Sequence, residues 1–319
     1  MSTKPVPSNT LAGLNMPLLS LGSWHIYDRM DFGVAVAMVR QAVDAGINMF
    51  DVGVYGTPDT QPPPLTDVLF SAIVRGAGLK RDDYLLSEKL WLEGFDDEKG
   101  FKPQLENALF RVGAEYADIV VLGDVRRDDV VLRDLVLSLA ELKKLGMIRA
   151  WGVNNWSATN IQSLLDIART EGVDAPVMAQ LKYSVARRAI PDGEPFAGLF
   201  AQGFKMQASD VMEGGVLVKP QQLREVGRDP GNIRDQIAAS ATKVAEVAKR
   251  FDATPAQLCI AFTLTHPQTV NTLVGCSRLE QLDQAIGAIA LLDRVGAEAV
   301  RTAAEPLWAD KGRVDPEGP

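Results

Sequence analysis

The sequence predicts a closed (β/α)8 barrel, and three observations carry that prediction. Eight short apolar runs recur along the 319-residue chain, each of a length suited to a buried strand. Between them lie stretches with apolar residues at i, i+3 and i+4, the period of an amphipathic helix. The first run ends as LGSWHIYD (21–28), with no G-x-G-x-x-G after it, so the phosphate loop that usually opens a doubly wound sheet is missing. Eight alternating units in about 300 residues suit the barrel.

The strand runs are LLSLGS (18–23), INMFD (47–51), YLLSEKL (84–90), ADIVVLG (117–123), IRAWGVNN (148–155), PVMAQLKY (176–183), FKMQAS (204–209) and VNTLVG (270–275). Among the helices, VAVAMVRQAVDAG places Val36, Val39 and Val43 on one face and stops at Gly46. LRDLVLSLAELKKLG closes on two lysines, which suit the negative end of a helix, and then on Gly146. SATNIQSLLDIA starts at Ser157, and TPAQLCIAFTLTH starts with Thr254 as cap and Pro255 in the first turn. No linker divides the chain, so 1–319 reads as a single barrel domain. Its core covers about 12–292, with a C-terminal helix and tail over 293–319. The proline cluster TPDTQPPPL (57–65) and the polar stretch VKPQQLREVGRDPGNIRD (218–235) read as long loops, which in a barrel lie over the catalytic face.

Composition narrows the function classes. With 46% hydrophobic and 23% charged residues this is ordinary globular material. A net charge of -8 argues against a nucleic-acid backbone or an anionic membrane surface as partner. No apolar run approaches the roughly 20 residues of a spanning helix, and MSTKPVPSNT lacks the apolar core of a signal peptide. Cys259 and Cys276 lie in apolar runs and read as buried free thiols of a reducing compartment. Two histidines and two cysteines at no ligand spacing argue against a metal site. The expectation is a soluble cytoplasmic protein that acts on a small molecule, and a homo-oligomer is compatible with it.

In a barrel, chemistry sits at the C-terminal strand ends. There the runs deliver Ser23, Trp24 and His25; Asp51 and Tyr55; Lys89 and Trp91; Gly123 and Asp124; Asn154, Asn155 and Trp156; Gln180 and Tyr183; Ser209 and Asp210. Asp51, Tyr55 and Lys89 form a self-consistent set. A free phenol is a poor proton donor or acceptor at neutral pH. An adjacent ammonium favours its ionised form, and a carboxylate keeps that ammonium charged and oriented. Read alone, the three residues fit equally well a salt bridge at the barrel mouth with a phenol in the wall.

The chain resembles the aldo-keto reductase superfamily over roughly residues 12–292. GINMFDVGVYG is similar to its G-x-N-x-x-D-[TS]-A-x-x-Y-G signature, SEKLW to its T-K-L-W, and WGVNNWSATNIQSLL to its I-G-V-S-N-F-S segment. DAPVMAQLKYS, TPAQLCIAFTLTHP and LVGCSRLEQLDQAIGAI resemble the A-P-x-x-N-Q-x-x-Y-[NS], T-P-A-Q-L-A-L-A-W and G-A-S-R-P-E-Q-L-x-E-N stretches. The resemblance implies carbonyl reduction with NADPH bound across the barrel mouth. It implies catalytic Asp51, Tyr55 and Lys89, with Tyr55 as proton donor. It also implies nicotinamide carboxamide contacts from Asn155 and Gln180, the nicotinamide-stacking position at Ser209, and further cofactor contacts from Asn154, Gly275, Ser277, Arg278, Gln281 and Gln284. The guanidinium of Arg278 leans the choice toward NADP, since it could pair a 2′-phosphate.

Departures from the family pattern fall on function. The tetrad histidine is replaced by Gly123, the aromatic that stacks on the nicotinamide by Ser209, and the adenine-gripping Glu-Asn pair by Gln284 and Ala285. A missing oxyanion-type donor costs about 2.7–4 kcal/mol of barrier. Gly123 is expected to deepen the cavity, with Trp24, Trp91 and Trp156 as aromatic walls for a ring-bearing or sugar-like substrate. His25 and Asp124 are candidates to enter the remodelled pocket, and His266 reads as a cation at a helix end. The acceptor could then be an unusual carbonyl, an imine or an activated C=C bond. Two other readings stand beside this one: a non-redox acid–base enzyme on the same barrel, and a nucleotide-binding regulatory protein like the ion-channel β-subunits of this fold.

Overall fold

The computed structural model describes residues 5–55, 64–126, 129, 131–219 and 231–319. Most of the two long loops named above, and Gly56, lie outside those residues. The chain opens with a hairpin of β1 (Ser8–Leu11) and β2 (Leu14–Pro17). It turns through Ala12 and Gly13, both at positive φ (48° and 78°), the geometry of a two-residue hairpin turn. Eight parallel strands follow: β3 (Leu19–Gly22), β4 (Met49–Asp51), β5 (Leu85–Leu90), β6 (Ala117–Leu122), β7 (Ile148–Asn154), β8 (Met178–Lys182), β9 (Lys205–Ser209) and β10 (Thr269–Val274). They close in the order β10-β3-β4-β5-β6-β7-β8-β9, which is the (β/α)8 barrel.

The helices between and after the strands are α1 (Phe32–Asp44), α2 (Thr66–Ala77), α3 (Lys102–Val112), α4 (Leu132–Lys144), α5 (Ala158–Glu171), α6 (Glu194–Ala201), α7 (Ile233–Arg250), α8 (Pro255–Thr263), α9 (Leu279–Val295) and α10 (Ala297–Ala304). Their ends follow local chemistry. Ser157 accepts from Asn160 N at 3.2 Å, and Thr254 with Gln257 forms a reciprocal capping box. The apolar face of α1 is set differently from the spacing expectation. Ala35, Met38, Val39 and Ala42 are buried, whereas Val36 and Val43 sit at the flank, because small Ala side chains let the helix press closer on the sheet.

Side chains alternate between two cores. Phe50, Leu86, Leu90, Val120 and Leu122 face the helices. Met49, Ile119, Val121, Ala150 and Met178 fill the barrel interior, whose lower end is plugged by Leu11, Leu14 and Met16 of the hairpin. Buried polar residues, among them Ser20, Ser87, Gln180, Gln207 and Asn271, fill further interior positions toward the mouth. The tail is tied to the barrel. Buried Asp310 accepts from Arg188 N and Ala189 N, and Glu317 O accepts from Ala158 N at the start of α5. Both cysteines are buried, and burial pushes each thiol up to about 12. No helix among the described residues is long and apolar enough to cross a membrane.

Candidate active site

At the C-terminal ends of the strands opens a cavity of about 1420 Å³, lined by residues from every barrel strand end except that of β6 itself. Two-residue alternation explains how its charged residues arrive. On β4, Phe50 points to the helices, so Met49 and Asp51 point inward; on β5, Leu86 and Leu90 point out, so Ser87 and Lys89 point in. Asp51 lies opposite Ser87, which puts Lys89 one inward step nearer the mouth. The Lys89 ammonium reaches Asp51 Oδ2 at 3.3 Å and Gln180 Oε1 at 2.5 Å, and the Gln180 amide donates to the same Asp51 oxygen at 2.7 Å. All three residues are buried.

Tyr55 follows β4 and stands between Trp24 and Trp91, with ring centroids 6.1 and 6.2 Å away. Gly53 makes this possible. A Cβ there would stand 3.1 Å from both Tyr55 Cζ and Lys89 Cβ, so the glycine lets the phenol lie over the lysine stem. The phenol is held well above its ordinary value near 10, first by burial and then by the negative charges of Asp51 and Glu88. This reverses the expectation that Lys89 draws the phenol toward ionisation: the ammonium is spent on Asp51 and Gln180. Tyr55 is therefore held as the neutral phenol, the form that can donate a proton.

Two sequence expectations about the substrate side are corrected. Gly123 does not deepen the cavity. A Cβ at that position would meet Trp91 Cε3 at 2.3 Å, so the indole itself fills the space that the residue type vacates. Trp91 is fixed there by its Nε1 donating to Val54 O at 2.9 Å and by Gln104, which accepts from Trp91 N at 2.6 Å and donates to Trp91 O at 3.0 Å. Nor is Trp156 a wall. It is fully buried and donates from Nε1 to Gly123 O at 2.8 Å, holding the glycine peptide from behind. Gly123→His should therefore overpack the site and destabilise the protein by about 1–3 kcal/mol, without a gain in aldehyde reduction. Thermal unfolding measures it, and Trp91→Ala in the same chain should relieve the loss; a stable, more active single variant would contradict this packing.

The other expected pocket residues do meet at the mouth. Trp24 is 40% exposed and lies 4.9 Å from the ring of His25, which sits at φ 55° with Nδ1 3.4 Å from the Arg29 guanidinium. Asp124 Oδ1 accepts from Asn154 at 2.5 Å and from Asn155 at 3.2 Å. Asn155, at φ 53°, also accepts from Lys182 N at 3.3 Å. Ser209, Gly275, Ser277, Arg278, Gln281 and Gln284 line the other half of the cavity. Gln281 is partly committed, since its Oε1 takes Ser277 N at 2.8 Å and Arg278 N at 3.1 Å and so caps α9. His266 is no helix-end cation: it is lodged between Tyr183 and Phe200, and burial lowers its pKa.

Some mouth residues escaped the sequence reading. Lys182 lies one inward step beyond Gln180 on β8, so strict alternation along that strand would have found it. Arg126 lies 5.6 Å over the Trp91 ring, 3.6 Å from Glu93 and 4.0 Å from Asp124. Glu88, beside Lys89 but on the helix-facing side, is fully buried near the Asp67–Arg111 ion pair; burial and the charges of Asp67 and Asp51 raise its pKa well above the usual carboxylate range. Nothing in a lone SEK triplet marks such a glutamate.

The model of the aldo/keto reductase family matches residues 18–302. The chain belongs to the aldo/keto reductase family. It is also similar to a protein of Schizosaccharomyces pombe named as a putative voltage-gated potassium channel subunit beta, at 24% identity over 95% of this chain and 94% of that one. Membership accords with an oxidoreductase-like barrel whose Asp51, Tyr55 and Lys89 converge at the mouth.

Does the cavity suit the dinucleotide of this family? Its volume of about 1420 Å³ exceeds the roughly 300–1,000 Å³ of an ordinary small-molecule pocket and leaves room for a dinucleotide with a substrate. The Ser277 and Arg278 N–H groups are held by Gln281, but both residues line the cavity at the start of α9, where the Arg278 guanidinium and the helix N-terminus suit phosphate oxygens. Asn155 and Gln180 are engaged, yet the first keeps one amide proton and the second one acceptor lone pair. The residues present fit the group.

Proposed function

We propose that this protein is an NADP(H)-dependent oxidoreductase that interconverts a carbonyl and an alcohol on a small substrate with an aromatic or sugar-like face. The observation that carries the reading is a neutral, half-buried Tyr55 phenol lining the mouth beside a buried Lys89–Asp51 pair. NADPH, when bound, supplies the hydride. Tyr55 then gives its Oη proton to the oxygen that gains charge. Asp51 pairs with Lys89 and holds it in place. Ser277 and Arg278 would hold phosphate groups, and Asn155 and Gln180 the carboxamide. Trp24 and Trp91 would wall the substrate and exclude water from the reacting oxygen.

With Trp91 where the family carries its histidine, the second donor to the carbonyl is missing, which favours an acceptor that is already activated. The same absence favours a second reading, a nucleotide-responsive regulatory subunit, to which the name of the fission-yeast relative also points. Titrating NADPH while following its fluorescence, and then adding a panel of activated carbonyls, separates the readings. Binding with turnover supports the reductase, and binding without turnover supports the regulatory role. No binding up to millimolar NADPH would end both and leave acid–base chemistry without a nucleotide.

A further inference from the structure

Below the Lys89–Asp51 pair the barrel interior holds a chain of buried amides that runs to its lower end. Gln180 donates from Nε2 to Gln207 Oε1 at 2.6 Å, Gln207 donates to Asn271 Oδ1 at 2.7 Å, and Asn271 donates to Pro17 O at 2.6 Å. Ser20 Oγ adds a second proton to Asn271 Oδ1 at 2.6 Å. The strands make this possible: Gln180 lies opposite Gln207, and a register shift in β10 between Thr269 and Asn271 brings Asn271 opposite Gln207. Gln180, Gln207 and Asn271 are 3%, 0% and 0% exposed.

An amide presents a donor on one side and an acceptor on the other, and in isolation either orientation serves. Here neither end of the chain is free to choose. A main-chain carbonyl can only accept, so Asn271 must turn its NH2 to Pro17 and its oxygen to Gln207. Gln207 must then donate downward and accept from Gln180, which leaves the Gln180 oxygen facing Lys89. An ammonium can only donate, so the upper end requires that same orientation. Reversing any one amide would set donor against donor or acceptor against acceptor, in a setting shielded from bulk solvent.

We propose that Gln207 and Asn271 are positioning residues, which hold the Lys89 ammonium on Asp51 and under Tyr55 by fixing the direction in which the Gln180 amide faces. The kinetic part of the inference rests on the reductase reading; the structural part does not. Lys89 is placed by Asp51 directly and, through Gln180, Gln207 and Asn271, by a carbonyl oxygen near the bottom of the barrel.

Two variants and one measurement on the unmodified protein test it. Gln207→Met removes the link and should lower kcat on the order of 10- to 100-fold at every pH, as small misplacements of a catalytic group do, with NADPH affinity kept. Gln207→Glu separates positioning from packing. A protonated carboxyl donates to Asn271 and accepts from Gln180 as the amide does, whereas an ionised one opposes the Asn271 oxygen. Asn271 and Gln180 face the introduced carboxyl directly, with Asp51 and Lys89 as the charged groups beyond Gln180. Burial raises its pKa above the ordinary glutamate range, so turnover of Gln207→Glu should be near normal at low pH and fall as pH rises through that value. This variant keeps the full hydrogen-bond set at low pH and is the one that folds should Gln207→Met not. A kcat unchanged in Gln207→Met, or a pH profile of Gln207→Glu matching the unmodified protein, would overturn the positioning role.

The third arm needs no turnover. In the unmodified protein the side-chain NH2 resonances of Gln180, Gln207 and Asn271 should be protected from solvent exchange, and Gln207→Glu should shift the Gln180 pair in step with the same titration. Exchange as fast as that of surface amides would overturn the relay even in a protein that proves not to be a reductase. A protected set in a protein that never binds NADPH would end the reductase reading and leave the relay standing.

Discussion

Lys89→Met lowers the free energy of unfolding by about 3–5 kcal/mol, because it strands the Asp51 carboxylate in the barrel without its counter-charge. The size follows from burial: the Lys89 side chain is 7% exposed and that of Asp51 1%, so water cannot take over the lost contact. Gln180 still donates one hydrogen bond to Asp51 Oδ2, but Asp51 Oδ1 has no hydrogen-bond partner among the described residues. Urea denaturation of both proteins without nucleotide measures the difference. A loss below about 1 kcal/mol, the range of an exposed pair, would mean that Asp51 takes up a proton or that the mouth relaxes around it. Asp51→Asn should cost less, since Lys89 keeps its hydrogen bond to Gln180 Oε1.

Tyr55→Phe slows turnover by about 10²–10⁴-fold, the worth of a positioned general acid, while NADPH affinity is retained. The ring contacts with Trp24 and Trp91 survive the change, so only the proton donor is removed. The sign of the pH dependence follows from the raised phenol. Its neutral, donating form persists at least to the ordinary phenol range near 10, so reduction should not fade on the alkaline side through loss of the Tyr55 proton. Single-turnover kinetics with bound NADPH across that range check both statements. Turnover unchanged in Tyr55→Phe would remove the phenol from the chemistry.

The substrate side shows where sequence reading loses its grip. Asp51, Tyr55 and Lys89 were legible because each sits at a fixed offset from an apolar run, and the backbone alone carries such a residue to the strand end. Gly123 was legible as a departure, but its consequence was not. Whether a missing side chain leaves a cavity depends on which neighbour moves in, and Trp91 comes from the end of another strand, just past β5. Trp156 misled for the same reason, since a tryptophan just past a strand can face the mouth or the helix layer. His266 had the sequence setting of a helix-end cation, yet two aromatic rings desolvate it. The hairpin that plugs the barrel was missed because its two strands have four residues each and show little periodicity.

The sequence by itself determined the eight strand–helix units, the caps that bound several of the helices, and the arrival of an acid, a phenol and an amine at neighbouring strand ends. These are properties of local spacing, which the pleat and the helical turn turn directly into direction. Tertiary structure alone decided that the phenol stays neutral, that an indole replaces the histidine's volume, and that three amides from neighbouring strands fall into one line beneath Lys89. Each of these depends on desolvation and on contacts between strands far apart in sequence. Such contacts exist only once the barrel closes.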